Sequence, residues 1–239
     1  DRVVIDENKR SRKGDVIMAA NVETMFYTRE KPWHGLGTMV RESPSSVQAL
    51  ALAGLDWKVE QHPIIGGLAI SVLMGMILTL PISSAAIGVS MGITGLAAGA
   101  ATVGCCANMV GFAVASFREN KVNGLLAQGL GTSMLQIGNI VKKPVIWLPA
   151  IISSAILGPI STMMLQMTNN ATGSGMGTAG LVGQINAYQT MVSAGMEPWV
   201  ALVQIMIMHF FLPGLLAFVI SEFMRKKGWI CEGDMALKV

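Results

Sequence analysis

Nine side-chain amides, Asn108, Gln128, Gln136, Asn139, Asn169, Asn170, Gln184, Asn186 and Gln189, and one histidine, His209, stand in stretches of this chain that carry no charge. A carboxamide donates through its nitrogen and accepts through its oxygen, so a group of them suits a ligand made of hydroxyls, such as a sugar or polyol. Amides at membrane depth need partners and line cavities rather than face lipid; interhelical hydrogen bonding is the competing role for each. His209 is the strongly titratable group deepest in an apolar stretch, which makes it a candidate ligand or proton site, with a structural histidine as the alternative. The candidate substrate-binding set is Asn108, Gln128, Gln136, Asn139, Asn169, Gln184 and His209.

Other motifs carry less. Cys105 and Cys106 are adjacent in an apolar run and Cys231 lies far from them, without CxxC or a histidine at ligand spacing, so they read as small packing residues and no metal or cofactor is expected. Gly175-Met176-Gly177-Thr178-Ala179-Gly180 matches GxGxxG, yet no strand precedes it and no acid follows about 20 residues on, as a dinucleotide site requires. Asn170-Ala171-Thr172 spells a glycosylation sequon that chance explains. Gly88, Gly92, Gly95 and Gly99 recur at helical spacing and predict a smooth stripe for close helix packing. No nucleophile with a base, paired carboxylates or metal cluster is legible, so stand-alone catalysis is not expected.

The elements that must position these groups are membrane spans. No Asp, Glu, Lys or Arg occurs from Pro63 to Phe117 or from Pro144 to Met196. A spanning helix needs about 20 apolar residues, so the fold class is an all-α polytopic membrane protein preceded by a short polar segment. The first run would be roughly 80 Å long as one helix; it must fold back, and Pro81-Ile82-Ser83-Ser84 is the expected break. Spans are predicted near 64–81, 85–117 (overlong, hence tilted, kinked or broken), 144–167 and 199–223, with Trp147 and Trp199 at interfaces. The Gly- and amide-rich stretches 122–141 and 169–195 read as re-entrant segments, giving about four spans and two re-entrant elements.

Of the thirty-one formal charges, eighteen lie in residues 1–63, nine of each sign, so the net charge of +3 belongs to the membrane part, where it orients spans and says nothing about nucleic acid. Placing Arg118 with Lys121, Lys142 with Lys143, and Arg225 to Lys227 on the cytoplasmic side predicts a multi-pass inner-membrane protein with both termini cytoplasmic. Gln128, Gln136 and Asn139 are then expected around a polar cavity opposite 169–189, with Asn108 and His209 facing the same interior. The chain opens with no cleavable signal peptide, since the first apolar stretch starts at Ile64 and is long enough to span.

Four blocks carry a resemblance: Leu80 to Ala86 (LPISSAA), Gly95 to Ala107 (GLAAGAATVGCCA), Gln128 to Gln136 (QGLGTSMLQ) and Gly175 to Gln184 (GMGTAGLVGQ). Residues 64 to about 230 resemble the membrane-embedded IIC permease subunits of the bacterial phosphotransferase system, nearest its toxin-regulator branch. The resemblance implies sugar binding and translocation coupled to phosphorylation by a separate IIB protein with IIA, and a homodimer. Relatives carry further spans before this block, so 64–230 is expected to be a C-terminal portion. Residues 18–63, with Pro32-Trp33-His34-Gly35-Leu36-Gly37 and Ala53-Gly54-Leu55-Asp56-Trp57-Lys58-Val59, resemble the start of a phage- and plasmid-borne family of unknown function. Within them Ser43-Pro44-Ser45-Ser46 caps a predicted short helix to Ala53, and Trp57 to Glu60 reads as a strand.

Residues 1–17 read as a translated leader with a ribosome-binding sequence, Met18 as a natural start, and 231–239 as a tail. The functional alternatives are a membrane sensor that binds sugar and regulates gene expression without transport, and a soluble function of 18–63.

Overall fold

The structure is a computed structural model that describes residue 59 and residues 62–237. The leader, the phage-like fragment and its capped helix lie outside the described residues. Val59 alone among the predicted strand Trp57 to Glu60 is described; it is helical and buried against Gly66.

Helix α1 is Pro63–Thr79, with proline in its first turn, where a missing N–H costs nothing. It stops at extended Leu80, before Pro81. Ser83 then caps the short α2, Ser84–Ser90, by accepting a bond from Ala86 N. A turn with Gly92 and Gly95 both at positive φ leads into α3, Gly95–Ala115. The predicted overlong span is therefore broken, as its length required.

The glycine stripe is corrected by the same break. Gly88 sits in α2, Gly92 and Gly95 form the turn, and only Gly99 packs along α3, against the carbonyl of Met167. A sequence spacing of four or three marks one face only while the helix is unbroken.

After α3 the chain runs through α4 (Phe117–Leu126), a π-helical turn Ala127–Gly131, a 3-10 turn Ser133–Gln136 and α5 (Ile137–Lys142). A 3-10 turn Pro144–Trp147 opens α6, Leu148–Met163. The next stretch holds α7 (Ala171–Ser174), a 3-10 turn Ala179–Leu181 and α8 (Val182–Ser193). Last comes a 29-residue helix, Pro198–Lys226, made of α9 (Pro198–Ile205), a π turn Met206–Phe211 and α10 (Leu212–Lys226). Three helices, α3, Pro144–Met163 and Pro198–Lys226, are long and apolar enough to cross a membrane, and the 17-residue α1 is a shorter apolar helix. No strand occurs among the described residues. The molecule is an all-α polytopic membrane protein.

Close approach of small residues holds the bundle. Ser71 Oγ donates to Ser154 O at 2.9 Å, Thr162 Oγ1 donates to Pro63 O at 2.8 Å, and Gly67 faces Thr162 and Gly158, so α1 and α6 run antiparallel. Gly104 lies against the Ser71 backbone and Gly75 against Asn108 and Gly104, so α1 and α3 run parallel. Gly111 beside Ala217, Gly214 beside Val110 and Val114, and Arg225 bonded to Ala115 O make α10 parallel to α3 as well. In lipid such van der Waals fit and interhelical hydrogen bonds are the main attraction between helices. Around them, Ile65, Leu68, Ile156, Val203, Phe211 and Phe223 face outward, as a lipid belt requires.

These directions put the start of α1 and the end of α10 at opposite ends of the bundle. Pro63 sits beside Thr162, at the end of the bundle opposite Arg118, Lys143 and Arg225. The return from α1 to α3 is made by residues 80–94, which the hydropathy reading merged into a span.

Candidate functional site

α3 is the axis of the polar interior, and each predicted site residue is placed by what it touches there. Asn108, fully buried, sits midway between α1 and α6. Its Nδ2 donates to Gly104 O and Ser154 Oγ, both at 3.1 Å. Its Oδ1 accepts from Trp147 Nε1 at 2.9 Å and Thr79 Oγ1 at 3.3 Å. A primary amide has two N–H donors and two acceptor lone pairs, so Asn108 is saturated by protein. Trp147, predicted as an interface anchor, instead turns its N–H inward; Trp199 remains 75 % exposed.

Nearly two turns earlier on α3, Thr102 Oγ1 donates to Ala98 O at 2.7 Å and accepts from Asn169 Nδ2 at 2.8 Å. Asn169 also donates to Gly183 O at 3.1 Å, and its backbone pairs both ways with Gly95. Asn170 accepts from Gly173 N to cap α7 and donates to Asn186 Oδ1 at 2.7 Å. The GxGxxG glycines are turn residues: Gly177 and Gly180 have φ of +53° and Gly175 packs on Ser84.

Beside this cluster, Gln184 Nε2 lies 3.2 Å from His209 Nδ1 and 3.3 Å from Cys106 Sγ. Gln184 Oε1 is buried and has no partner, with the residue only 7 % exposed. Turning the amide over exchanges the atoms, so one terminal atom of Gln184 is unpartnered in either orientation. His209 lies in the π turn of the last helix, four residues before Pro213, whose ring opposes the His209 carbonyl and whose missing N–H widens that turn. The tip of the first re-entrant element, 127–131, packs against 179–181 next to Gln184. The two re-entrant elements therefore do meet.

Gln128, Gln136 and Asn139 do not look into that meeting point, and this corrects the predicted cavity. Gln128 Nε2 donates to Ser116 Oγ at 2.8 Å, Gln136 Nε2 to Gln128 Oε1 at 2.9 Å and Asn139 Nδ2 to Gln136 Oε1 at 2.9 Å. The free ends of this chain of amides hold the backbone of residues 235–236. Sequence gave no sign of that partner, because the tail's contacts use main-chain atoms.

The charged end of the bundle is tied by ion pairs: Arg118–Glu222 at 2.6 Å, Arg225–Glu119 at 2.8 Å and Lys143–Asp234 at 2.6 Å. Asp234 sits below its ordinary value: partial burial opposes the charge, but bonds from Lys143 and Cys231 N, with Arg225 nearby, outweigh it. The Asp234 hydrogen bond lifts Lys143 above its ordinary value. A depressed carboxylate stabilises the docked tail above its ordinary value and loses that as pH falls through the lowered one. A raised lysine contributes below its ordinary value and loses that as pH rises through the raised one. Tail docking followed by Trp229 fluorescence should therefore be flat through neutrality and weaken only as pH falls below the ordinary aspartate range or rises above the ordinary lysine range. A midpoint near neutrality would contradict the ion pair.

The fold is a bundle of parallel and antiparallel membrane helices, with broken segments meeting beside a buried amide and imidazole. The family model for the phosphotransferase system EIIC matches residues 43–237, and the chain belongs to that family of membrane permease subunits. No curated protein and no solved structure matches it. It is a multi-pass inner-membrane subunit for sugar transport and not itself the phosphorylating enzyme.

Proposed function

We propose that this chain binds a sugar or polyol between α3, α8 and the π turn of the last helix, and passes it across the membrane for phosphorylation by a separate IIB protein charged by IIA. The observation that carries this reading is the unpartnered terminal atom of Gln184 beside His209. An orphaned buried amide atom costs about 1–3 kcal/mol unless something fills it, and a sugar hydroxyl can give or accept the missing bond. Asn169 has spare acceptor capacity on the same side and is the third member of the site. Asn108, saturated by protein, positions α1, α3 and α6 around it.

Calorimetry of the purified protein against a panel of sugars and polyols tests the reading. Binding of one class, lost with Gln184→Ala, supports it; no binding by any sugar, with the fold intact, removes it. The sensor reading, suggested by the resemblance to the toxin-regulator branch, predicts the same binding with no uptake into vesicles. A homodimer is part of the proposal through the family alone.

The division into a leader 1–17, a phage-like fragment 18–63, a partial IIC domain 64–230 and a tail 231–239 is also proposed. Its boundary rests on the composition change at residue 63, since the family match itself starts at residue 43. One continuous frame across codons 60–66 in independent genomes would remove it.

The end carrying Arg118, Lys143 and Arg225 is placed in the cytoplasm by the positive-inside rule. In a Cys231→Ser background, Lys143→Cys should resist a membrane-impermeant maleimide applied from outside. Met164→Cys, 77 % exposed at the opposite end, should react. The reverse pattern overturns the orientation.

A further inference from the structure

Residues 228–237 turn back from the last helix and lie along the 118–143 segment, whose amides bond their main chain. Met235 O accepts from Asn120 Nδ2 at 2.8 Å and Gln136 Nε2 at 3.0 Å; Ala236 O accepts from Asn139 Nδ2 at 3.0 Å. Leu237 N donates to Asn120 Oδ1 at 2.8 Å. Two side chains are read as well: Met235 is fully buried in a cluster with Phe112, Ile146 and Met224, and Asp234 pairs with Lys143. A groove of about 220 Å³ runs along the seam, lined by Asn139, Lys142, Lys143, Gly233, Asp234 and Ala236. Trp229, Cys231 and Glu232 stay exposed.

We propose that Asn120, Gln136 and Asn139 form a docking site for a short turned peptide, that residues 230–237 of this same chain are its occupant, and that this tail is a releasable latch on the 118–143 segment. Carboxamides aimed at main-chain atoms hold the turned tail whatever its side chains, while the buried Met235 and the Asp234 ion pair set its register. Undocking exposes amides that water can satisfy at this membrane end, so release needs no unfolding of the spans. The same amides continue through Gln128 into the turn 127–131, which packs on 179–181. That contiguous path of packed groups couples the tail to the element beside Gln184. The inference stands independently of which solute, if any, binds there.

Hydrogen exchange of the full chain in lipid nanodiscs tests it. Asn120→Ala, which removes two tail bonds, should raise exchange of 230–237 and of 127–139 together by about tenfold, leaving 95–115 unchanged. Acceleration of the tail alone, or of neither segment, overturns the latch. Should Asn120→Ala loosen the whole bundle, the opposite perturbation decides: Lys143→Cys with Asp234→Cys in a Cys231→Ser chain, oxidised to a disulfide. It should slow exchange in both segments and release them on reduction. Unchanged exchange at 127–139 in the oxidised form overturns the coupling.

Discussion

Gly104→Leu should prevent the chain from assembling a stable bundle. A Cβ at Gly104 would overlap the Ser71 backbone, and backbone cannot swing aside as a side chain can. Overpacking a tight core costs typically 1–3 kcal/mol; with main chain as the obstacle, about 3 kcal/mol or more is expected. The helices would have to separate, opening the hydrogen bond from Ser71 to Ser154 and those around Asn108. Thermal melting in detergent checks this, and Gly138→Ala, whose added Cβ meets nothing within 4 Å, is the matched control that should melt with the unaltered chain. Equal melting of the two variants would mean that α1 and α3 are not in contact.

Asn108→Ala and Gln184→Ala should fall apart in opposite ways. Removing Asn108 strands the Trp147 N–H, while Thr79 and Ser154 keep their bonds to Gly75, Ser133, Gly104 and Ala150, so stability drops by about 1–3 kcal/mol. The protein that remains folded should bind sugar as before. Gln184→Ala removes an amide already short of a partner, so stability changes little, while affinity falls roughly 5- to 150-fold, as losing one or two ligand hydrogen bonds implies. His209→Ala should follow Gln184. A sugar-binding loss in Asn108→Ala with unchanged melting would exchange the two roles.

The spans were legible because hydrocarbon solubility is a property of composition: charge-free runs and Pro81 mark α1, α6 and the last helix to within a few residues. Direction was not legible, because a return of fifteen residues with a seven-residue helix looks like part of its neighbour when only hydropathy is read. The small residues that bring α1, α3 and α6 together, Gly67, Ser71 and Gly75 at spacings of four, could have been found by the rule applied to Gly88 and its successors. Asn108, Gln128, Gln136, Asn169 and Gln184 are buried while Gln189 is exposed, and which of the buried amides are saturated depends on partners distant in sequence. Asn108 meets Trp147 and Ser154, and Gln136 meets Met235, through contacts that no local pattern encodes.

Parallel α1 and α3 bear on how the chain is made. Biosynthetic insertion reads segments of about 20 apolar residues in order, and the run from Pro63 to Phe117 offers two, which threading would leave pointing in opposite directions. Their parallel arrangement instead needs the return through 80–94, with Pro81, Ser83 and Ser84 in its broken backbone, to run back along the bundle. Ser84 finds its buried partner in Gly175, ninety-one residues downstream. That contact cannot form until residue 175 has been synthesised, so the return at 80–94 completes its packing only with the second half of the chain.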